Sequence, residues 1–228
     1  MKQKNTKTSI KQINIWYTFV GSVLSLILIA CTTIAVLGYQ EHHNSHNEDY
    51  EYKIYRSNME LALWGNKANC VNSINNYMKS IAPSTNLNGV SIFEACDEYG
   101  IDIIFTLAQA QIESSFGTAG VAAKTNSVWN VLAYDGRSAN DMIADGHGFK
   151  HPDQSIKPYL ELLKNKYLVK GKTEVDLMQN YVNGTGHRYA SDKSYEARMQ
   201  SLYKHIKDST DIDVCYNEYK HYKVILGY

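Results

Sequence analysis

The sequence feature that most constrains this chain is an apolar helical run that ends in a single carboxylate. Residues 101–118 read IDIIFTLAQAQIESSFGT, and apolar side chains fall on almost every face of the predicted helix. A helix of this composition is buried in a protein core. Gln109 and Glu113 lie four residues apart on one face, and Gly117 then breaks the helix. The run therefore predicts a carboxyl group at the mouth of a buried helix.

The predicted position of Glu113 has a chemical consequence. Loss of water around a carboxyl group disfavours its charged form and raises its pKa, as a general acid working near neutral pH requires. Such a group can protonate a glycosidic oxygen, and the usual hydrolytic scheme then needs a second carboxylate. Asp135, Asp141 and Asp145 are candidates for the second carboxylate, and the sequence does not choose among them.

Composition narrows the class of protein. The 23 Lys and Arg residues balance 23 Asp and Glu residues, so the net charge of +0 supplies no basic field for nucleic acid. The four cysteines show no metal-binding spacing, and we expect neither a metal site nor a cofactor. Outside the cytoplasm one disulfide could form among Cys70, Cys96 and Cys215, and the sequence does not choose the pair.

The N-terminal part of the chain has the character of a membrane anchor. Four lysines precede a stretch that is uncharged from Gln12 to Gln40, and residues 15–37 are long enough to cross a hydrocarbon core of about 30 Å. The lysines predict a cytoplasmic N-terminus and a single-pass protein whose C-terminal domain lies outside the cytoplasm. The alternatives are a lipoprotein attached through Cys31, which ends a lipobox-like sequence, and a component of a phage virion.

The rest of the chain reads as a polar stalk and one mainly helical domain. We expect the anchor in residues 1–38, the stalk in residues 39–56, the domain in residues 57–206 and a tail in residues 207–228. Helical periodicity dominates the domain. Gly100 is expected to end one helix and Asp102 to cap the next. The turn-forming residues 126–136 predict a small irregular or β-hairpin lobe.

The stretch LAQAQIESSFGT at residues 107–118 resembles the catalytic-helix signature of glucosaminidase-type peptidoglycan hydrolases in the lysozyme superfamily. In that signature an Ala-Gln run precedes Glu-Ser, an aromatic residue, Gly, and Thr or Ser. Further matches follow in the family's order at residues 126–131, 149–156 and 189–195. The resemblance covers about residues 90–206 and implies an α+β, lysozyme-like fold.

The resemblance also implies roles for individual residues. Glu113 would be the catalytic acid, and Tyr189 would line the cleft beside it. The family's second carboxylate would fall between Asp135 and Asp145. Where the family usually has Asn-Leu-Phe-Gly, residues 127–130 read Ser-Val-Trp-Asn. The substrate-binding candidates are Gln109, Trp129 and Phe149, with the Trp129 ring expected to stack on a sugar face.

These observations predict an enzyme that cleaves the β-1,4-linked N-acetylglucosamine and N-acetylmuramic acid backbone of peptidoglycan, with Glu113 as general acid. Glycan strands are the expected partner. Two alternatives remain open. A lytic transglycosylase has the same type of fold and uses one glutamate without an activated water. A non-catalytic protein for wall binding or assembly would retain the fold without the chemistry.

Overall fold

The computed structural model describes residues 6–131 and 138–228, and within them the side chains of residues 28–37, 48–131 and 138–228. The chain divides into two units, Met1–Asn58 and Met59–Tyr228, and helix α1 (Thr6–Ile81) begins in the first and ends in the second. No helix in the described part has both the length and the apolar character to cross a membrane. The side chains of residues 15–27, within the expected anchor, lie outside that part, so the anchor stays a prediction.

The second unit is a helical assembly, as the sequence predicts. A 3-10 turn (Pro152–Ser155) leads into α6, and a π-helical turn (Leu163–Tyr167) continues it. Within residues 59–131 and 138–228 no strand forms, and one isolated antiparallel bridge joins Val182 to Arg188. The expected hairpin is therefore absent from that part, and residues 132–136 of the expected lobe lie outside it. The helices after α1 are α2 (Gly89–Tyr99), α3 (Ile103–Ser114), α4 (Ala122–Thr125), α5 (Ala139–Ala144), α6 (Ile156–Leu162), α7 (Glu174–Gln179), α8 (Tyr195–Ser209) and α9 (Ile212–Leu226).

Local sequence signals set the boundary between α2 and α3. Gly100 has a left-handed backbone, with φ of 66°, which glycine adopts without a steric cost, and it ends α2. Asp102 then caps α3, because its side chain accepts a hydrogen bond of 2.9 Å from the backbone N–H of Phe105. Both sequence predictions at this boundary are confirmed.

Helix α3 is the buried helix expected from its composition. It packs against α2, α8 and α9. The helix buries nine of its residues, and its apolar side chains from Ile103 to Ala108 are at most 2% exposed. A helix enclosed in this way is a rigid support for whatever lies at its C-terminal end.

The C-terminal residues 207–228, which the sequence analysis assigns to a tail, are largely helical. They contain α9, which buries Ile212, Cys215 and Tyr219. A disulfide joins Cys215 to Cys70 near the end of α1, with the two Cα atoms 5.5 Å apart, while Cys96 is buried and unpaired. The sequence allowed a disulfide among these three cysteines but could not choose the pair, because the choice depends on how α9 packs.

Candidate active site

The end of α3 is shaped by an abrupt reversal of the backbone. Ser115 and Phe116 both have left-handed backbones, with φ of 51° and 57°, although neither is glycine. Ser114 secures this turn, because its hydroxyl donates to the carbonyl of Val128 over 2.6 Å and accepts from the N–H of Gly117 over 2.8 Å. Such strained backbone persists only where its surroundings hold it. The turn therefore holds the residue before Ser114 close to the loop that contains Val128.

That preceding residue is Glu113, whose side chain is partly exposed. Its Oε1 accepts a hydrogen bond of 2.7 Å from the hydroxyl of Tyr195, and its Oε2 accepts one of 3.2 Å from Nδ2 of Asn130. The same Asn130 amide donates to the Glu113 carbonyl over 3.0 Å. The carboxyl group is therefore held on both oxygens by neutral donors.

Burial raises the pKa of Glu113 above its ordinary value of 4.5. The hydrogen bonds from Tyr195 and Asn130 and the positive charge of Arg198 act in the opposite direction without cancelling the effect of burial. A carboxyl group in this state keeps its proton to higher pH than a solvated glutamate does. Because it is also partly exposed, Glu113 has the properties of a general acid that can reach a substrate.

Gln109 lies one helical turn before Glu113 and has no contact with solvent. Its side chain is 0% exposed. Its Oε1 accepts hydrogen bonds from the hydroxyls of Tyr159 and Tyr181, and its Nε2 donates to the hydroxyl of Tyr195 over 3.1 Å. The expectation that Gln109 binds substrate is thus corrected, because every polar atom of its buried amide is already bonded within the protein.

Trp129 also lies in the core. Its ring is 0% exposed and stacks on Tyr159 with 4.7 Å between ring centroids, and its Nε1 donates to the carbonyl of Thr106 over 3.1 Å. No face of this ring is open to a sugar. The stacking role expected for Trp129 is corrected to a structural one, because the aromatic pair fills the space behind the loop that carries Asn130.

Tyr189 and Phe149 remain candidates for the cleft. The half-buried ring of Tyr189 lies 5.8 Å from that of Tyr195 between centroids, and its hydroxyl donates to the carbonyl of Trp129 over 3.0 Å. Burial and the nearby Glu113 hold the pKa of Tyr189 well above its usual range. Phe149 is also half-buried, and its N–H donates to the carbonyl of Thr125 over 2.7 Å. Their contact with substrate stays a prediction.

The structure gives the three aspartate candidates different surroundings. Asp141 completes a capping box at the start of α5, in which Ser138 is the N-cap and Oδ2 of Asp141 accepts hydrogen bonds from both the N–H and the hydroxyl of Ser138. Asp145 directly follows the last residue of α5. Asp135 lies outside the described residues. A role for any of them as second carboxylate stays a prediction, although Asp141 already has a structural role.

Tyr195 and Asn130, which contact Glu113 directly, were not among the candidate site residues, although both lie in segments that match the family's order. Tyr195 fits the helical period of α8, which hides its polar function, and Asn130 follows an aromatic residue in an irregular segment. The residue type of Asn130 was one available signal, because asparagine tolerates the left-handed backbone better than most residues. In the structure Asn130 does have such a backbone, with φ of 50°. Helical periodicity carries no comparable signal for a hydroxyl at the start of a helix.

The chain shows similarity to proteins of known families over the part that contains this site. A family model described as mannosyl-glycoprotein endo-beta-N-acetylglucosaminidase matches residues 90–208, more than half of the chain. Two relatives from different strains of Streptococcus pneumoniae, each named "Putative endo-beta-N-acetylglucosaminidase", are 25% identical to it over 120 residues. The match covers 53% of this chain and 17% and 16% of the relatives, so the chain spans less than a fifth of their length.

The matched segment runs from α2 through most of α8 and includes Glu113, Asn130 and Tyr195. It therefore contains the acid together with both residues that hold its carboxyl group. By this match, the chain belongs to the glucosaminidase family, mannosyl-glycoprotein endo-beta-N-acetylglucosaminidase.

Proposed function

We propose that this protein is a glycoside hydrolase that cleaves the β-1,4-linked backbone of peptidoglycan, with Glu113 as general acid. The observation that carries the proposal is the state of Glu113. Its carboxyl group is partly exposed, bonded to the neutral donors Tyr195 and Asn130, and raised in pKa by burial. Membership of the glucosaminidase family supports an amino sugar beside the scissile bond.

In the proposed reaction the Glu113 proton moves to the glycosidic oxygen while the bond from that oxygen to the anomeric carbon breaks. Water supplies a hydroxyl group to the anomeric carbon, and a base takes up the remaining water proton. Asp135, Asp141 and Asp145 are the candidates for that base. One group that donates a proton in this way contributes about 10² to 10⁴-fold to the rate.

A lytic transglycosylase is the second candidate, and one observation favours it. The side chains that hydrogen-bond the Glu113 carboxyl group are the neutral groups of Tyr195 and Asn130, and a one-acid mechanism needs no carboxylate in their place. In a one-acid mechanism the sugar's own 6-hydroxyl attacks the anomeric carbon, and its proton returns to Glu113. Glu113 is regenerated, and the product carries an anhydro ring in place of a reducing end.

An extracytoplasmic location agrees with this substrate. Peptidoglycan lies outside the cytoplasmic membrane, where the predicted anchor at residues 15–37 would place the domain. The Cys70–Cys215 disulfide supports the same location, because disulfides persist mainly in oxidising compartments. A detergent-free fractionation of cells, followed by protease treatment of intact cells, tests both the anchor and its orientation.

The activity is tested by digesting purified peptidoglycan with the full-length protein and identifying the ends of the products by mass spectrometry. New reducing ends support hydrolysis, and the sugar that carries them identifies the scissile bond. Anhydro ends without reducing ends support the transglycosylase. If the protein sediments with the wall but releases nothing, it is a binding protein and the proposed chemistry is wrong.

A further inference from the structure

The side-chain amide of Gln109 forms hydrogen bonds with three tyrosine hydroxyl groups. Three tyrosines on three different segments reach its amide: Tyr159 from α6, Tyr181 from the segment after α7, and Tyr195 from α8. All three tyrosines are at most 2% exposed. Gln109 lies one helical turn before Glu113, so its amide is directly behind the acid.

The chemistry of an amide gives these bonds a direction. Its oxygen can only accept and its nitrogen can only donate. The hydroxyls of Tyr159 and Tyr181 donate to Oε1, and Nε2 on the other side of the amide donates to Tyr195. Nε2 occupies an acceptor site of the Tyr195 oxygen, so the Tyr195 proton remains available for another partner.

That partner is Glu113 Oε1, 2.7 Å from the Tyr195 oxygen. We propose that Gln109 is a positioning residue, which fixes the direction of the Tyr195 hydroxyl so that Tyr195 donates to Glu113 Oε1. Glu113 Oε2 accepts the longer contact of 3.2 Å from Asn130, so a transferable proton fits better on Oε2. The inference deepens the proposed function and rests on it for its catalytic meaning, but the bonding itself can be tested without activity.

Other groups around Glu113 could also act on its pKa. The charge of Arg198 lowers it, and the rings of Tyr181 and Tyr189 are close enough for their own titration to be affected by Glu113. Gln109 itself also acts on Tyr181 and Tyr189. The contribution that passes through the Tyr195 hydroxyl is therefore isolated by comparing the effect of Gln109→Met with and without Tyr195→Phe.

The test measures the pKa of Glu113 directly in the full-length protein, by NMR titration with carboxyl-labelled glutamate. The resonance of Glu113 is assigned as the one that disappears in Glu113→Gln. Loss of a hydrogen bond to the ionised form raises a carboxyl pKa, so Tyr195→Phe is expected to raise it by about one unit. Gln109→Met is expected to raise it by a smaller amount and, in the Tyr195→Phe background, to change it no further.

Gln111→Met is the matched control. It lies on the same helix and also accepts a tyrosine hydrogen bond, of 2.7 Å from Tyr77, but it has no bond to Tyr195 or Glu113. The control is expected to leave the pKa of Glu113 unchanged. If Gln109→Met behaves like this control, or if its effect adds fully to that of Tyr195→Phe, then Gln109 only packs and the proposal is overturned.

A second variant covers the case in which Gln109→Met does not fold. Tyr181→Phe removes one of the two hydroxyls that orient the Gln109 amide and keeps the ring. It is expected to raise the pKa of Glu113 slightly when Tyr195 is present and not in Tyr195→Phe, and no change in either background would overturn the proposal. Turnover is measured in parallel: a pKa that responds as expected without any cleavage leaves Gln109 as a positioning residue and refutes the proposed function.

Discussion

Glu113 and Glu196 are both glutamates, but their environments shift the pKa of the carboxyl group in opposite directions. Glu113, at the end of α3, receives hydrogen bonds from the neutral groups of Tyr195 and Asn130, and burial raises its pKa. Glu196, in the first turn of α8, contacts the guanidinium of Arg188 with both oxygens. Burial alone would raise the pKa of Glu196, but backbone N–H groups and Arg188 outweigh it and lower the pKa.

At both glutamates burial raises the pKa and the bonded groups lower it, and the comparison shows that burial prevails beside neutral donors and is outweighed beside a cation. A cation with two contacts holds Glu196 as an ion, whereas neutral donors leave Glu113 able to exchange a proton. Two consecutive residues of α8 take part in this contrast, since Tyr195 donates a hydrogen bond to Glu113 and the next residue is Glu196. Four predictions test this contrast.

The largest expected effect follows the removal of the proton donor. Glu113→Gln is expected to lower the rate of peptidoglycan cleavage by about 10³-fold, because an amide has no transferable proton. The rate is measured as release of soluble glycan fragments, and circular dichroism checks that the variant is folded. Cleavage at the normal rate by a folded Glu113→Gln would show that another group is the acid.

A charge placed beside Glu113 is expected to have the next largest effect. Asn130→Asp replaces the donor to Glu113 with an acceptor of similar shape, and aspartate also tolerates the left-handed backbone at this position. The like charge should raise the pKa of Glu113 further and slow cleavage by about tenfold at neutral pH, by weakening proton transfer. The pH–rate profile checks this, since its alkaline limb should move to higher pH. A limb that moves to lower pH would contradict it.

The same substitution at the second glutamate is expected to change stability and not chemistry. Glu196→Gln removes one partner of the Arg188 ion pair and should lower the free energy of unfolding by about 1 kcal/mol. Cleavage by the folded variant should stay within about twofold of the wild-type rate, since Glu196 has no proton to give near neutral pH. Urea unfolding and the cleavage assay are compared on the same samples. A loss of activity as large as that of Glu113→Gln would abolish the contrast.

The smallest effect is an opposite dependence of stability on pH at the two positions. The folded pKa of Glu113 lies above 4.5, so stability from this group is present below the ordinary pKa and lost as the pH rises through the folded value. The folded pKa of Glu196 lies below 4.5, so its contribution is present above that value and lost as the pH falls. Relative to wild type, Glu113→Gln should therefore gain stability with rising pH and Glu196→Gln should lose it. Parallel curves from urea unfolding at a series of pH values would contradict the assignment.

Sequence reasoning placed Glu113 near the end of a buried helix, because local patterns determine both the burial of that helix and its boundaries. The apolar composition of residues 101–118 predicted burial, and Gly100 and Asp102 predicted the helix boundary. It failed where the answer depends on packing between distant segments. Trp129 and Gln109 have side chains that suit a sugar-binding cleft, but Trp129 is enclosed by contacts with α3 and α6, and Gln109 by tyrosines from α6 and α8.

The surroundings of Glu113 could not be predicted for the same reason. Tyr195 is 82 positions away from the acid along the chain, and its hydroxyl reaches Glu113 because α8 packs on α3. A periodic pattern reports which face of α8 is apolar, and a tyrosine on that face counts as apolar whether or not its hydroxyl has a function. The participation of α9 was missed because its contacts, the Cys70–Cys215 bond among them, join segments that are far apart in the sequence.

That bond has a practical consequence for the family segment. Residues 90–208 lie wholly within the stretch of chain that Cys70 and Cys215 close into a covalent ring. A single proteolytic cut anywhere inside the ring would leave one molecule on a non-reducing gel and two fragments after reduction. Expression of residues 90–208 alone would omit both cysteines and the helices α1 and α9 that carry them. The segment that the family model matches is therefore shorter than the segment that the disulfide encloses.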